Sequence, residues 1–581
     1  MFQRISMEKT QKNQQSKDTI VLGLNGWNYH GHDASACLIK NGKVLSFVEE
    51  ERFNRQRYAF DAWPIEAIQY CLATHKLEPQ DITQIAFGWN TPKRYALASL
   101  PEPYTNLELL QLLFPKKMYP QLNHEQLPMP EMIDHHLAHA ASSAYVSGFN
   151  EATVLVLDGQ GEDASGWLGT YKDDSLTPIR TIPTAFSLGY FMSAICVFLG
   201  LRTHDAGKLM GLAAHGQAKY EFPEFVLDEE SYQVPELPVL RQRFDHQTPV
   251  VDAWLAILRQ RFPQHKPKFS CNYDPLRGKT VSQLELDEFS KDLAASAQKA
   301  LETVILHIVR NLTAETGIRK LVYSGGVALN CTTNGRLLAE KYVDDLYVQP
   351  AANDAGVSLG AAILASQRVI PHKMEPMDHC YWGAEYSNAE IESELKRLKI
   401  AYIKETGVTK KAAMALSHGK VIAWFQGKME VGPRALGNRS ILSNPAIKEM
   451  HHLLNVIKSR EQWRPLAPSV LEEDIELLFE NARISPFMLL THSVKKEWQD
   501  KIPAVVHVDG TTRYQSVSRK YNPKYHQLIS EFKEITGLPI VMNTSFNTGG
   551  EPIVMTPEQA IKTFFTSEID ILVLNDFWIE K

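Results

Sequence analysis

The sequence predicts an α/β protein: a duplicated α/β unit followed by a second, smaller α/β domain. Three observations carry that prediction. One plan of apolar strand, glycine-containing turn and hairpin occurs twice, helical segments follow each copy, and the periodicity stops at a proline-containing stretch before a fresh α/β pattern begins. A ligand of such a duplicated fold sits in the cleft between the halves.

The first copy opens with the β-rich run "TIVLGLNGW" and continues as "HDASACLIKNGKVLSFVEEERF", two strands joined at Asn41-Gly42. The second, "ATVLVLDGQGEDASGWLGTYKDDSLTPIRTI", repeats the plan with a polar turn at Lys172 to Asp174. Segments such as "WPIEAIQYCLATH" read as helices. From Leu286 to Thr316 a long amphipathic helix leads into "KLVYSGGVALN", a buried strand, a Gly-Gly turn and a helix; "YVQPAANDAGVSLGAAILAS" repeats that logic. Around "PHKMEPMDHCYWGAEYS" the pattern breaks, and it restarts near Asn388. The expected division is a disordered tail over 1–18, an N-terminal domain over 19–375 and a C-terminal domain over 388–581.

Of the 581 residues 44% are hydrophobic and 22% charged, with a formal net charge of -6. Nothing in that balance invites nucleic acid or an anionic membrane, so an anionic ligand must be caught locally. Six scattered cysteines without a C-x-x-C pair argue against a disulfide framework or a cysteine zinc site, and point to a reducing cytoplasm. The polar start "MFQRISMEKTQKNQQSKD" lacks the apolar region of a secretory signal. The uncharged stretch "AFSLGYFMSAICVFLGL" is short for a bilayer span and contains serine and glycine, so it is expected to be a buried helix. Homo-oligomerisation stays open.

Chemistry concentrates in a few places. In "DHHLAHAASSAY", His135 and His139 are four apart and share one helix face, while His136 is turned away by about 100°. Asp158 ends an apolar strand and Asp354 follows another, both at edges where α/β folds gather ligands. Two imidazoles and two carboxylates suit Fe(II), Mn(II) or Zn(II) better than Ca(II). Hydrogen-bonded core histidines and backbone-capped carboxylates are the competing explanation. His32, beside Asp33 after the first strand, is either a general base toward a hydroxyl or a structural histidine. Gly325-Gly326 let backbone approach a ligand or simply make a tight turn, and Lys208 is a cation at the mouth of an apolar run. In the C-terminal part Arg434, Arg439, Lys458, Arg460, Arg464 and Arg513, with Asn543, Ser545 and Asn547, favour a polyphosphate pocket over surface ion pairing.

Together, the stretches "LGLNGW", "HDASA", "EEERF", "HHLAHAAS", "DGQGE", "GKLMGLAAHG", "GVSLGAA", "MEVGPRALG", "WRPLAPS" and "NTSFNTGGEPIV" resemble the O-carbamoyltransferase family of the nodulation-factor, cephamycin and tobramycin types, most closely the last. The resemblance covers nearly the whole chain. It implies an actin/sugar-kinase-like (ribonuclease H-like) N-terminal domain, similar to the tRNA threonylcarbamoyl-transfer protein, and a YrdC-like C-terminal domain. It further implies that ATP, with Mg, and carbamoyl phosphate form carbamoyl adenylate in the C-terminal domain, and that a hydroxylated small molecule takes the carbamoyl group in the N-terminal domain. By the same resemblance iron is held by His135, His139, Asp158 and Asp354, and His32 matches the base. Lys208, Gly325, Gly326 and Asn330 match the carbamoyl adenylate site. Arg434, Arg439, Lys458, Arg464, Arg513, Asn543, Ser545 and Asn547 match the region handling ATP and carbamoyl phosphate. The tobramycin type has an acidic residue where this chain has His30, which weakens the expectation of a polyamino-sugar acceptor. The alternatives are tRNA threonylcarbamoyl transfer, which the acidic chain disfavours, and a sugar kinase or ATPase of the same superfamily, which has no use for His135 and His139.

Overall fold

A computed structural model describes residues 18–27, 31–237, 247–265 and 287–581; the expected tail up to residue 17 and His30 lie outside them. The two sequence copies form two five-stranded sheets. In the first, β1 (Ile20–Asn25), β2 (Ser35–Lys40) and β3 (Lys43–Glu49) are antiparallel neighbours, and β4 (Gln84–Phe87) and β5 (Glu131–Met132) extend β1 in parallel, giving the order β3-β2-β1-β4-β5. The second uses β6 (Glu151–Leu157), β7 (Ala164–Lys172), β8 (Ser175–Pro183), β9 (Lys320–Ser324) and β10 (Asp345–Val348). Its order β8-β7-β6-β9-β10 has the same directions. Matching order and direction in both sheets is the duplicated actin/sugar-kinase-like plan. The hairpin turns carry residues suited to positive φ, Asn41 (50°) with Gly42 (80°) and Asp173 (50°) with Asp174 (53°).

The helix Val357–Val369 is wedged against the first sheet and the helix His135–Ala144. A Cβ on Gly360 would come within 1.8 Å of the Ala138 carbonyl oxygen, so this crossing requires glycine. The uncharged stretch around residue 190 forms the helix Leu188–Phe198, largely buried under Trp254 and Phe222. Among the described residues no helix is long and apolar enough to cross a membrane. The helix Glu288–Thr316 starts at Asp287, whose side chain accepts from the Ser290 N–H, and stops at Gly317 with φ 69°.

The C-terminal part is built on a mixed eight-stranded sheet whose centre is Ile571–Leu574, Ile422–Phe425, Arg439–Ser443 and Ile540–Ser545, beside a small two-stranded one, His492–Ser493 with Thr511–Thr512. Its strands alternate in the expected period of two. Ala423 and Phe425 enter one core with Ile391 and Leu395, while Ile422 and Trp424 enter the opposite one with Leu528 and Phe532. The two parts meet over named bonds: Arg55 donates to the Pro552 and Ile553 carbonyls at 2.7 Å each, Asn334 to the Leu489 carbonyl at 3.0 Å, and Arg52 to the Gly432 carbonyl at 2.9 Å.

Candidate active site and metal centre

The helix His135–Ala144 points both of its four-apart imidazoles at the ends of two strands in the second half. His135 Nε2 lies 3.5 Å from Asp158 Oδ2 and 3.6 Å from Asp354 Oδ1; His139 Nε2 lies 3.8 and 3.6 Å from the same oxygens. All four side chains are buried, and their ligand atoms lie within 4.8 Å of one another. His135 Nδ1 is 3.1 Å from the Gly88 carbonyl, which fixes the tautomer with the proton on Nδ1 and leaves Nε2 a lone pair. Its ring is stacked on Trp89 at 3.8 Å. The Nε2 atoms of His135 and His139 are buried without a hydrogen-bond partner, a costly state that a divalent cation at this donor set relieves. The residues therefore fit the metal that the sequence suggests. Asp158 is additionally held by the Gly326 N–H at 2.9 Å, and Gly325 (φ 88°) makes that approach by passing so near the Leu157 carbonyl that no side chain fits.

Electrostatics agree with a cation site. Burial opposes a charged His135, yet Asp354 and Asp158 offset this and raise it to about 10, so a proton takes the Nε2 lone pair whenever no metal cation does. Burial alone raises an aspartate, but the attraction of the His135 imidazole at 3.5 Å brings Asp158 down to about 2. His136, by contrast, is pushed down to about 3 by burial and by His135, and its ring packs against Gly161, where a Cβ would come within 2.9 Å. It is not a ligand. The helix start is capped from outside the helix: Glu162 accepts from the His135 N–H at 3.1 Å and the Asn90 N–H at 2.8 Å.

His32 lies beside the cluster. Its Nδ1 is 2.9 Å from Asp33 Oδ2 and 3.9 Å from Asp354 Oδ2. Burial disfavours its charged form, and Asp354 with Asp33 more than offsets that, raising it to about 10. A cation among the aspartates draws on the same negative charge.

A single cavity of about 1260 Å³ runs from His32, Asp158, Asp354 and Gly326 to the guanidinium groups of Arg434, Arg460, Arg464 and Arg513 in the C-terminal part. These cations crowd each other. Burial and Arg513 lower Arg434 to about 9, and burial with Arg464 lowers Arg460. Arg434 Nε, Arg460 Nη2 and Arg513 Nη1 are buried without a hydrogen-bond partner. Glu461, 3.7 Å from Arg464, supplies one negative charge there. An oligoanion such as a polyphosphate meets this demand.

The other expected residues divide. Asn543, Ser545 and Asn547 line the arginine end. Lys458 sits behind them, donating to Ser545 Oγ (3.1 Å), Asn547 Oδ1 (2.8 Å) and the carbonyls of both, so it braces the loop. Asn330 lines the cavity and caps the helix Cys331–Ala339 through the Thr333 N–H. Lys208 also lines it, but its charge is met by Glu461 across the junction at 3.0 Å and by the nearby Asp205 at 3.3 Å. Arg439 departs from the expectation. It is fully buried, donates to the carbonyls of Gln426, Gly427, Asn438 and Ala384, and covers the Phe425 ring at 3.6 Å; it does not line the cavity. Its arginine-in-apolar-context signal came from a core strand. Residues not singled out in the sequence include Glu162, Arg57, Tyr58 and His204, which come from loops with no periodic signal.

Fold and site define a two-part α/β protein: an actin/sugar-kinase-like domain bearing a buried two-histidine, two-aspartate cluster, opening onto a cationic pocket in a second domain. The chain matches the carbamoyltransferase N-terminus family over residues 21–363 and the carbamoyltransferase C-terminus family over 413–581. It is 35% identical to the nodulation protein NolNO of Sinorhizobium fredii, covering 97% of this chain and 82% of that protein. It is 37% identical to the nodulation protein NolO of Bradyrhizobium diazoefficiens over 77% of this chain and 79% of that one. The chain belongs to the carbamoyltransferase family.

Proposed function

We propose that this protein is an ATP-dependent O-carbamoyltransferase that makes carbamoyl adenylate from ATP and carbamoyl phosphate at the arginine end of the cavity. The carbamoyl group then passes to a hydroxyl of a small natural product at the His135/His139 end. The observation that carries this reading is the one cavity joining a buried cationic pocket to a buried metal-ligand cluster. Family membership favours carbamoyl transfer over threonylcarbamoylation of tRNA or sugar phosphorylation.

At the arginine end, Arg434, Arg460, Arg464 and Arg513 bind the phosphates of ATP and of carbamoyl phosphate, while Lys458 holds Ser545 and Asn547 in place. Water cleaves carbamoyl phosphate to inorganic phosphate and carbamate, the carbamate oxygen attacks the α-phosphorus of ATP, and pyrophosphate and phosphate leave from there. At the other end His135, His139, Asp158 and Asp354 hold a divalent metal, with iron the expectation and zinc or manganese also suited to the donors. When bound, the metal supplies Lewis-acid polarisation of the mixed anhydride. Gly326, Asn330 and Lys208 flank the adenylate. His32, oriented by Asp33 and neutral when a metal cation offsets the charge of Asp354, accepts the proton of the acceptor hydroxyl as oxygen attacks the carbamoyl carbon and AMP leaves.

The test is pyrophosphate release from ATP by the purified protein. Release that depends on carbamoyl phosphate is the expected result; release independent of it, or none, contradicts the proposal. A mass-spectrometric screen of hydroxylated metabolites for an added carbamoyl group then identifies the acceptor.

A further inference from the structure

Four rings close around the space in front of His32. The His32 imidazole meets His204 at 5.5 Å and Phe60 at 6.2 Å, both edge-to-face. Phe60 meets His204 at 5.0 Å, and Tyr58 meets Phe60 at 5.5 Å and His204 at 5.8 Å. All four line the large cavity. They come from three separate loops, and the connection between two of these is tight: Asp33 N–H donates to the Tyr58 carbonyl at 2.5 Å, and Asp61 N–H to the Gly31 carbonyl at 2.9 Å. Asp33, Tyr58, Ala59 and Asp61 all hold positive φ without being glycine. Such backbone persists only where its surroundings impose it, and here it turns side chains toward His32.

We propose that Tyr58, Phe60 and His204 form the wall of the acceptor subsite, and that this subsite takes an uncharged ring alcohol with an apolar face. The inference rests on the carbamoyl-transfer reading above and adds the acceptor's class. Aromatic rings give such a face both area and geometry to pack on, with the hydroxyl left at His32. Asp61 lines the cavity at its solvent side, and the other acids around the wall are already engaged, Glu51 by Arg52 and by the Tyr58 N–H at 2.6 Å. Asp33 is engaged by His32, and Asp205 by Lys208 at 3.3 Å and by the Arg202 N–H at 3.1 Å. The Arg57 guanidinium lies over the Tyr58 ring at 4.9 Å and repels an ammonium approaching there. Burial keeps His204 neutral, lowering it to about 3, so the wall presents an uncharged ring.

The experiment offers the metal-loaded enzyme, with ATP and carbamoyl phosphate, three surrogate alcohols: cyclohexylmethanol, ethanol and 2-aminoethanol. Carbamate esters are quantified by mass spectrometry. The expected kcat/KM for cyclohexylmethanol is at least about tenfold that for ethanol, with 2-aminoethanol no better than ethanol. Phe60→Ala and His204→Ala each lower that ratio below about threefold, chiefly through KM, while His204→Phe retains it. The proposal is overturned if the wild type treats the two neutral alcohols alike, prefers 2-aminoethanol, or carbamoylates no ring alcohol while releasing pyrophosphate. It is equally overturned if the ring preference survives in both alanine variants. Absence of carbamoyl phosphate-dependent pyrophosphate release strikes instead at the carbamoyl-transfer reading beneath it.

Discussion

At the scale of single residues, the same side chain type carries opposite duties according to what surrounds it. Arg434 and Arg513 bring their unmet N–H groups to the cavity, whereas Arg439, with its Nε also unmet, lies away from the cavity and gives its two terminal nitrogens to four carbonyls from three segments of chain. Removing Arg439 takes its donors from the Gln426 and Gly427 carbonyls, leaves those of Asn438 and Ala384 with their backbone partners only, and strips the cover from Phe425. Arg439→Ala should therefore cost at least about 3 kcal/mol, read by denaturant or thermal unfolding. Lost pyrophosphate release at unchanged stability is the result that would restore Arg439 to the ligand pocket. The histidines show the complementary case. The spacing of His135 and His139 was legible because helix geometry alone places them together. What the string could not display was the company they keep, since Asp158 and Asp354 arrive from strand ends far along the chain, and Glu162 caps the helix from a loop.

At the scale of elements, the strands and hairpins were readable from alternation and from Asn41-Gly42, and the long helix from its periodicity and from Gly317. The wall around His32 was not, because its loops lack a period and their left-handed residues are not glycines. Two elements give direct tests. The crossing at Gly360 has no room for a methyl group, so Gly360→Ala should push the helix His135–Ala144 away, costing about 1–3 kcal/mol and lowering metal content by elemental analysis. Full metal occupancy and unchanged stability contradict that packing. The helix Ile65–Thr74 is capped by the buried Glu50 carboxylate, which accepts from the Ala67 N–H at 2.8 Å and the Glu66 N–H at 3.3 Å. Burial outweighs these bonds and raises Glu50 from 4.5 to about 7. The folded state thus binds the proton more tightly than the unfolded one, and this contribution to stability, full below 4.5, fades as pH rises through 7. Glu50→Gln should remove that decline, so the variant gains in Tm relative to wild type between pH 5 and pH 8. A Tm difference that is flat across this range contradicts the assignment.

For the whole molecule, two identically ordered sheets and a third, mixed sheet enclose one continuous cavity with chemically distinct ends. The duplication and the second domain could be argued from the order of motifs. That their sites open into each other could not, since it depends on contacts such as Arg55 to Pro552 and Lys208 to Glu461 that join positions hundreds of residues apart. The central claim is that activation and transfer are separate chemistries housed at the two ends. It is tested most directly by following pyrophosphate and carbamoylated product in the same reaction with His139→Ala. The account predicts that this variant, folded but depleted of metal, still releases pyrophosphate in response to carbamoyl phosphate while forming no carbamoylated product. Loss of both activities together in a folded protein, or transfer that continues without His139, would contradict it.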